Sequence, residues 1–365
     1  MGAPLLVLIL LGTVAGLIVI ALTAINPVGT AIAFVLSSLA MAVVVLSYIW
    51  LDRWEPEPPR LLVFAFLWGA SVAVVISVIL GLWIESLIVS GDDSETSWVS
   101  VAVAAPVIEE AAKGLFLLVM CTGRRRRELN SLTDCLVYAG FVGAGFAWLE
   151  DILYISGGGS VGESLLTAGI RLILGPFAHS LFTTAFALGV YFALHRRGTL
   201  ATVGCVLAGY LGAVLMHGLW NGSSVLGPEV YLGVYVLWMM PVFALAIVLA
   251  VQSRRREQRI VAEKLPGMVA AGLVTPNEAT WLGSLATRNH ALAAAAQVGG
   301  KPARKAVYEF AAQVVELAFV RDRIDRGFGD ERVYAMQTEE AYAVHAARAA
   351  TPALQSLAHF RAPLR

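Results

Sequence analysis

Apolar positions in this chain fall into long unbroken runs, not into the narrow stripes that mark helices and strands of a water-soluble domain. Eight runs reach about 20 residues or more, the length that crosses a bilayer as helix. They cover residues 4–26, 29–51, 61–83, 98–121, 131–155, 164–194, 199–221 and 229–252. Gly and Pro occur inside several of them, which membrane helices tolerate better than soluble ones. The first run has no basic segment before it, and its apolar core exceeds the usual 7–15 or so residues of a signal peptide, so it reads as an uncleaved first span. The pattern predicts an all-α, polytopic membrane protein of about eight transmembrane helices.

At Arg254 the pattern changes. The string Arg254-Arg255-Arg256-Glu257-Gln258-Arg259 closes the apolar part, and residues 253–365 carry 16 Lys/Arg against 11 Asp/Glu. The expected division is a transmembrane part, 1–252, and a helical cytoplasmic tail, 253–365. The basic run reads as an anchor at anionic lipid. Thr275-Pro276-Asn277-Glu278 has the form of an N-cap, a proline in the first turn and a capping-box glutamate. Val307, Phe310, Val314 and Leu317 recur at helical spacing and lead toward Gly327. No internal repeat, phosphate-binding glycine loop or nucleic-acid module is visible, and no oligomeric state follows from the sequence.

Composition sharpens the class. Hydrophobic residues make up 58% and charged residues 14% of 365 residues, against roughly 45–50% and about 25% in soluble domains. This excludes a soluble enzyme, a nucleic-acid binder and a disordered chain. The net charge is zero and names no partner, but its distribution is informative. Loops after the second, fourth and sixth runs carry Arg53, Arg60, Arg124 to Arg127, Arg196 and Arg197, and the alternate loops carry no Lys or Arg. The third loop holds Asp92, Asp93 and Glu95. Basic loops stay inside, so both termini are expected in the cytoplasm. Cys121, Cys135 and Cys205 lie in or beside apolar runs and read as packing residues.

The ionisable residues inside the spans carry the chemistry. Each such group costs roughly 2.5–3.5 kcal/mol at the bilayer centre on insertion scales. Glu109, Glu110 and Lys113 sit in the fourth run, Asp134, Glu150 and Asp151 in the fifth, Arg171 and His179 in the sixth, His217 and Asn221 in the seventh. Lys113 reaches either glutamate by i, i+3 or i, i+4 spacing. Glu150 and His217 both lie about seven residues, roughly 10 Å, past the middle of spans that run the same way. Glu109, Glu110, Glu150, His179 and His217 are therefore expected to meet at mid-membrane or in the outer half. Pro106 and Pro176 precede Glu109 and His179 by one turn and are expected to open the helix there. Asp134 falls in the first turn of its helix, where a capping role is expected. Asp151 and Arg171 are expected to pair.

Two histidines and one glutamate form a recognised catalytic zinc set with a place left for water. On that reading Glu150, His179 and His217 hold Zn2+, and Glu109 or Glu110 takes the proton from water. Lys113 steadies the ionised carboxylates, and Asn221 donates to a developing oxyanion. The same buried charges also suit a proton- or ion-coupled transporter, although no inverted repeat or paired broken helices are seen. A third reading is a membrane scaffold in which the charges merely join helices and the tail recruits partners.

The strings Glu109-Glu110-Ala111-Ala112-Lys113, Phe146-Ala147-Trp148-Leu149-Glu150, His179-Ser180-Leu181-Phe182-Thr183 and His217-Gly218-Leu219-Trp220-Asn221 occur in this order on separate spans. Together they resemble the PrsW family of intramembrane proteases, over roughly residues 30–225. Arg53-Trp54-Glu55-Pro56-Glu57-Pro58 also looks like that family's loop after the second span. The pattern is similar in type to the wider CAAX-protease and bacteriocin-processing superfamily. Asp151 stands where the PrsW pattern has Asn, which changes a hydrogen-bonding amide into a carboxylate. The resemblance implies an intramembrane endopeptidase acting on a single-pass membrane protein such as an anti-sigma factor. It implies a bacterial plasma membrane and zinc, although relatives in the superfamily are argued to use a Glu-activated water without metal. With the depth argument, cleavage is expected close to the outer face of the bilayer.

Overall fold

The computed structural model describes residues 2–88 and 98–360. Asp92, Asp93 and Glu95 of the acidic loop lie outside the described residues. Every regular element among the described residues is helical. Seven helices are long and apolar enough to cross a bilayer: Ala3–Ile25, Pro27–Leu51, Pro59–Leu87, Leu132–Ser156, Val161–Leu194, Thr199–Val225 and Pro228–Ala270. The remaining expected span, 98–121, is also helical. It is a π-turn, Ser100–Ala104, running into Ala105–Met120. Glu109, Glu110 and Lys113 give it more charge than an apolar spanning helix carries.

In chain order the helices are α1 (Gly2–Ile25), α2 (Pro27–Leu51), α3 (Pro59–Leu67), α4 (Val74–Ile88), α5 (Ala105–Met120), α6 (Leu132–Ser156), α7 (Val161–Gly169), α8 (Ala178–Leu194), α9 (Thr199–Val225), α10 (Pro228–Val234) and α11 (Met240–Ala270). They are followed by α12 (Pro276–Leu282), α13 (Leu285–Arg323), α14 (Glu331–Ala349) and α15 (Ala353–Ser356). The chain divides into two compact units. One comprises Met1–Asp52 and Glu57–Ala250, the other Arg53–Pro56 and Val251–Arg365.

The first unit is built around α6, which packs against α2, α3, α8 and the π-turn Trp68–Ala73 and is buried along nearly its whole length. A capping box starts it: the Ser131 hydroxyl accepts from the Asp134 backbone N–H, and Asp134 Oδ2 accepts from Ser131 N at 2.6 Å and Asn130 N at 2.7 Å. That is the role expected for Asp134. Large apolar side chains point outward instead of inward, with Leu17, Ile20, Leu82 and Leu245 60–67% exposed. Such a surface is stable against lipid, not water. Buried donors find specific acceptors: Trp68 Nε1 donates to Ala112 O at 3.1 Å and Trp148 Nε1 to Ser38 Oγ at 3.0 Å. The sixth span is interrupted. After the π-turn Ile170–Leu174 the backbone leaves the helix at Gly175, and α8 restarts at Ala178. Pro176 lacks the N–H that would have carried the ladder through, as expected one turn before His179.

The second unit has the opposite polarity. Trp281, Phe310, Val314 and Leu317 form an apolar core with Trp54, a residue of the loop between α2 and α3. Thr275 and Glu278 form the expected capping box at α12. Val307, Phe310, Val314 and Leu317 are all fully buried on α13, and the chain turns at Gly327 with φ +81°. Arg288 lies over the Trp54 ring at 4.8 Å and donates to Trp54 O at 3.4 Å. Burial lowers its pKa to about 10.

Candidate active site

The site begins on α5. One helical turn brings Lys113 Nζ to 2.7 Å from Glu110 Oε1 and 3.6 Å from Glu109 Oε2. Lys113 and Glu110 are wholly buried, and Glu109 is 8% exposed. An ammonium in that setting needs every contact it can make. Lys113 therefore also donates to His179 Nδ1 at 3.0 Å and stands 3.8 Å over the Phe146 ring.

The two histidines come in from α8 and α9. Their rings meet edge to face, with centroids 5.1 Å apart. His217 Nδ1 lies 2.9 Å from Glu110 Oε1, and its Nε2 lies 3.7 Å from Glu109 Oε2. Glu110 accepts the Nδ1 proton, which leaves Nε2 as the lone-pair nitrogen facing Glu109. Phe182 stacks on His217 at 4.7 Å and fixes the ring plane. His179 is held from both sides, with Nδ1 against Lys113 and Nε2 2.9 Å from Glu150 Oε2.

Glu150 stands at the wall of an open cleft of ≈ 520 Å³, lined also by Asp151, Arg171, His179, Trp220 and Asn221. Arg171 joins the two neighbouring carboxylates: it donates to Glu150 Oε2 and, through Nε, to Asp151 Oδ1 at 2.6 Å. The expected Asp151–Arg171 pair is thus present, with Glu150 as a third member. The position that has Asn in the resembling pattern accepts a charged hydrogen bond here. Asn221 Nδ2 donates to Val101 O at 3.3 Å.

Local sequence explains the convergence. A Cβ at Gly143 would sit 2.5 Å from Ser180 Cα, so only glycine lets α6 and α8 touch beside His179. Ser180 Oγ then donates to Gly140 O at 2.9 Å across the same contact. On the other side, a Cβ at Gly218 would lie 2.6 Å from Ala102 O, so α9 approaches the turn before α5 next to His217. That turn is π-helical, and in its i→i+5 pattern Ala105 N bonds Ser100 O. The next donor would be Pro106, which has no N–H. Asn221 supplies the missing donor to Val101 O. Proline 106, the π-turn and Asn221 are one arrangement.

All seven residues expected to form the site are therefore in one region of the first unit, but their pairing differs from the depth argument. Glu109, His179 and His217 each offer a donor atom within 4.8 Å of the others, and they are the one Glu/His group of this kind among the described residues. Glu150 contacts His179 alone among the histidines. Glu109 Oε2 is buried and has no hydrogen-bond partner. Counted as ionised, Glu109, Glu110, Glu150 and Asp151 exceed Lys113 and Arg171 by two negative charges. An orphaned carboxylate oxygen, two imidazoles and an excess of two charges fit a divalent cation. Phe146, Phe182 and the Arg171–Glu150 contact were not anticipated as site features. Phe182 follows His179 by three residues, and that spacing alone places it on the same helical face.

A family model described as PrsW family intramembrane metalloprotease matches residues 57–246, just over half of the chain. Three curated proteins named Protease PrsW are similar. The one from Clostridioides difficile is 29% identical over 163 residues, which cover 43% of this chain and 65% of that protein. The one from Oceanobacillus iheyensis is 25% identical over 185 residues, covering 51% and 80%. The one from Geobacillus kaustophilus is 27% identical over 186 residues, covering 51% and 76%. The match to the first thus spans just under two thirds of that relative's length. No solved structure matches the chain.

Proposed function

The chain belongs to the PrsW family of intramembrane metalloproteases, and from that premise we propose that it hydrolyses a peptide bond of a single-pass membrane protein, in the class of anti-sigma factors. The observation that carries this reading is that Glu109 is the glutamate whose oxygen lies within 4.8 Å of donor atoms of both histidines; Glu109 Oε2 and Glu110 Oε2 are both buried without a hydrogen-bond partner. Glu110 is committed to Lys113 and His217, and Glu150 to Arg171 and His179. Glu109 is the carboxylate left to act on water.

In the proposed reaction a water oxygen attacks the scissile carbonyl carbon while Glu109 accepts the water's proton. Glu109 returns that proton to the departing amide nitrogen as the C–N bond breaks, giving an amine and a carboxylic acid, which then ionises. Asn221, at the cleft wall with a second amide N–H, donates to the carbonyl oxygen as it gains charge. Lys113 keeps Glu110 ionised, and Glu110 holds the His217 ring in place. His179, His217 and Glu109 are the residues that would hold a zinc ion; Glu109 would then serve as a ligand, and the proton transfers given to it as base belong to the metal-free form. Bound there, the ion would polarise the carbonyl and make water more acidic.

A second reading has its own support: Lys113 Nζ already lies 3.0 Å from His179 Nδ1 and 3.6 Å from Glu109 Oε2. An ammonium among the donors is what a metal-free, Glu-activated water mechanism would use. All the site residues lie within 1–252, to which we assign catalysis, with 253–365 as an accessory tail. The arginine-bearing loops support cytoplasmic termini, and the organisms of the similar proteins support a bacterial plasma membrane.

The test is zinc content of the detergent-purified protein, in wild type and His179→Ala. One zinc per chain, lost in the variant, supports the metalloprotease; none in folded wild type supports the metal-free reading. Glu109→Gln is expected to lower cleavage of a membrane-anchored substrate at least about a hundredfold with the fold unchanged. Full activity would remove Glu109 from the mechanism, whereas absence of cleavage by folded wild type would favour the buried-charge transporter.

A further inference from the structure

We infer that Arg171 is a positioning residue that acts through Glu150 to hold His179 in a single tautomer, protonated at Nε2, with the Nδ1 lone pair turned toward Lys113. The inference rests on His179 being part of the site proposed above, and it holds with or without a metal.

His179 Nδ1 faces the Lys113 ammonium at 3.0 Å. An ammonium has only donors, so Nδ1 must be the accepting nitrogen and Nε2 carries the proton. That proton is donated to Glu150 Oε2 at 2.9 Å. Glu150 holds the tautomer only while it is aimed at Nε2, and Arg171 aims it by donating to the same oxygen. Arg171 is itself fixed at two further points: its Nε is held by Asp151 Oδ1 at 2.6 Å, and its guanidinium lies over the Tyr154 ring at 4.3 Å. The guanidinium fork spans the adjacent carboxylates of Glu150 and Asp151, which a point charge could not do in the same plane. Arg171 comes from the π-turn before the Pro176 break, and His179 from the first turn after it. The Arg171–Glu150–His179 chain therefore bridges the two halves of an interrupted span.

His217 provides an internal reference. Its Nδ1 is held by Glu110 and not by the Arg171–Glu150 pair. The experiment is nitrogen NMR of the full-length protein labelled with 15N-histidine, in detergent, with signals assigned through His179→Gln and His217→Gln. Wild type is expected to show His179 protonated at Nε2 and His217 at Nδ1. Arg171→Met is expected to turn the His179 signals into a mixture of tautomers and leave those of His217 unchanged. Arg171→Lys, which keeps a cation beside Glu150, is expected to restore the single tautomer. Protonation of His179 at Nδ1 in wild type would overturn the inference, and so would an unchanged His179 in Arg171→Met. If both histidines lose their tautomers together, the effect is general loosening and the inference also fails. Zinc content and Glu109→Gln cleavage are read separately, so failure of the hydrolytic reading is distinguishable from failure here.

Discussion

The two units each bury a cation, and they treat it in opposite ways. Lys113, in the first unit, is wholly buried and contacts two carboxylates, an imidazole nitrogen and an aromatic face. Arg288, in the second, is 4% exposed, yet it rests on one ring and one carbonyl, and its Nε and Nη2 have no hydrogen-bond partner. The surroundings invert as well. Ionisable groups fill the centre of the first unit and leucines and isoleucines its outside, while the second has a core of tryptophan, phenylalanine and valine. A buried charge kept in a dense network of partners marks a place where polar chemistry is done. One kept with few partners is better explained as packing.

That contrast can be broken by substitution. Lys113→Met leaves Glu110 buried without its counter-charge, and is expected to cost about 3–5 kcal/mol, read as a fall in the melting temperature of the detergent-solubilised protein. A loss below about 1 kcal/mol would mean the cluster is not held by its cation. Gly143→Ala tests the helix contact that presents His179. The added methyl must push α8 away from α6, at an expected cost of about 1–3 kcal/mol and with weaker zinc retention in the same preparation. Arg288→Met is expected to raise the stability of the second unit by about 1 kcal/mol, followed by tryptophan fluorescence during chemical denaturation. If it instead destabilised as much as Lys113→Met, the two buried cations would be alike and the contrast would fall.

Much of this architecture was legible along the chain. A carboxylate or histidine in a 20-residue apolar run stands out because bilayer insertion penalises it, and spacing on one helix already joined Lys113 to Glu109 and Glu110. The capping boxes at Ser131 and Thr275 were readable for the same local reason. Contacts between helices were not. Depth along a span put Glu150 level with His217, but rotation about each helix axis decides which side chains meet, and it set Glu109 beside His217. The sequence separation of 66 between Lys113 and His179 carries no signal of their contact. Nor did anything local assign Trp54 to the core of the tail.

Trp54 has a consequence for how the chain is made. Its partner Arg288 follows 234 residues later. At about 5–20 residues per second, the ribosome delivers the tryptophan roughly 10–50 s before the residue that covers it. Throughout that interval the loop after α2 presents its indole without the guanidinium that lies over it in the folded chain. Synthesis that stalls before α13 would leave that indole uncovered, so a truncated product would carry a flag that the finished protein hides.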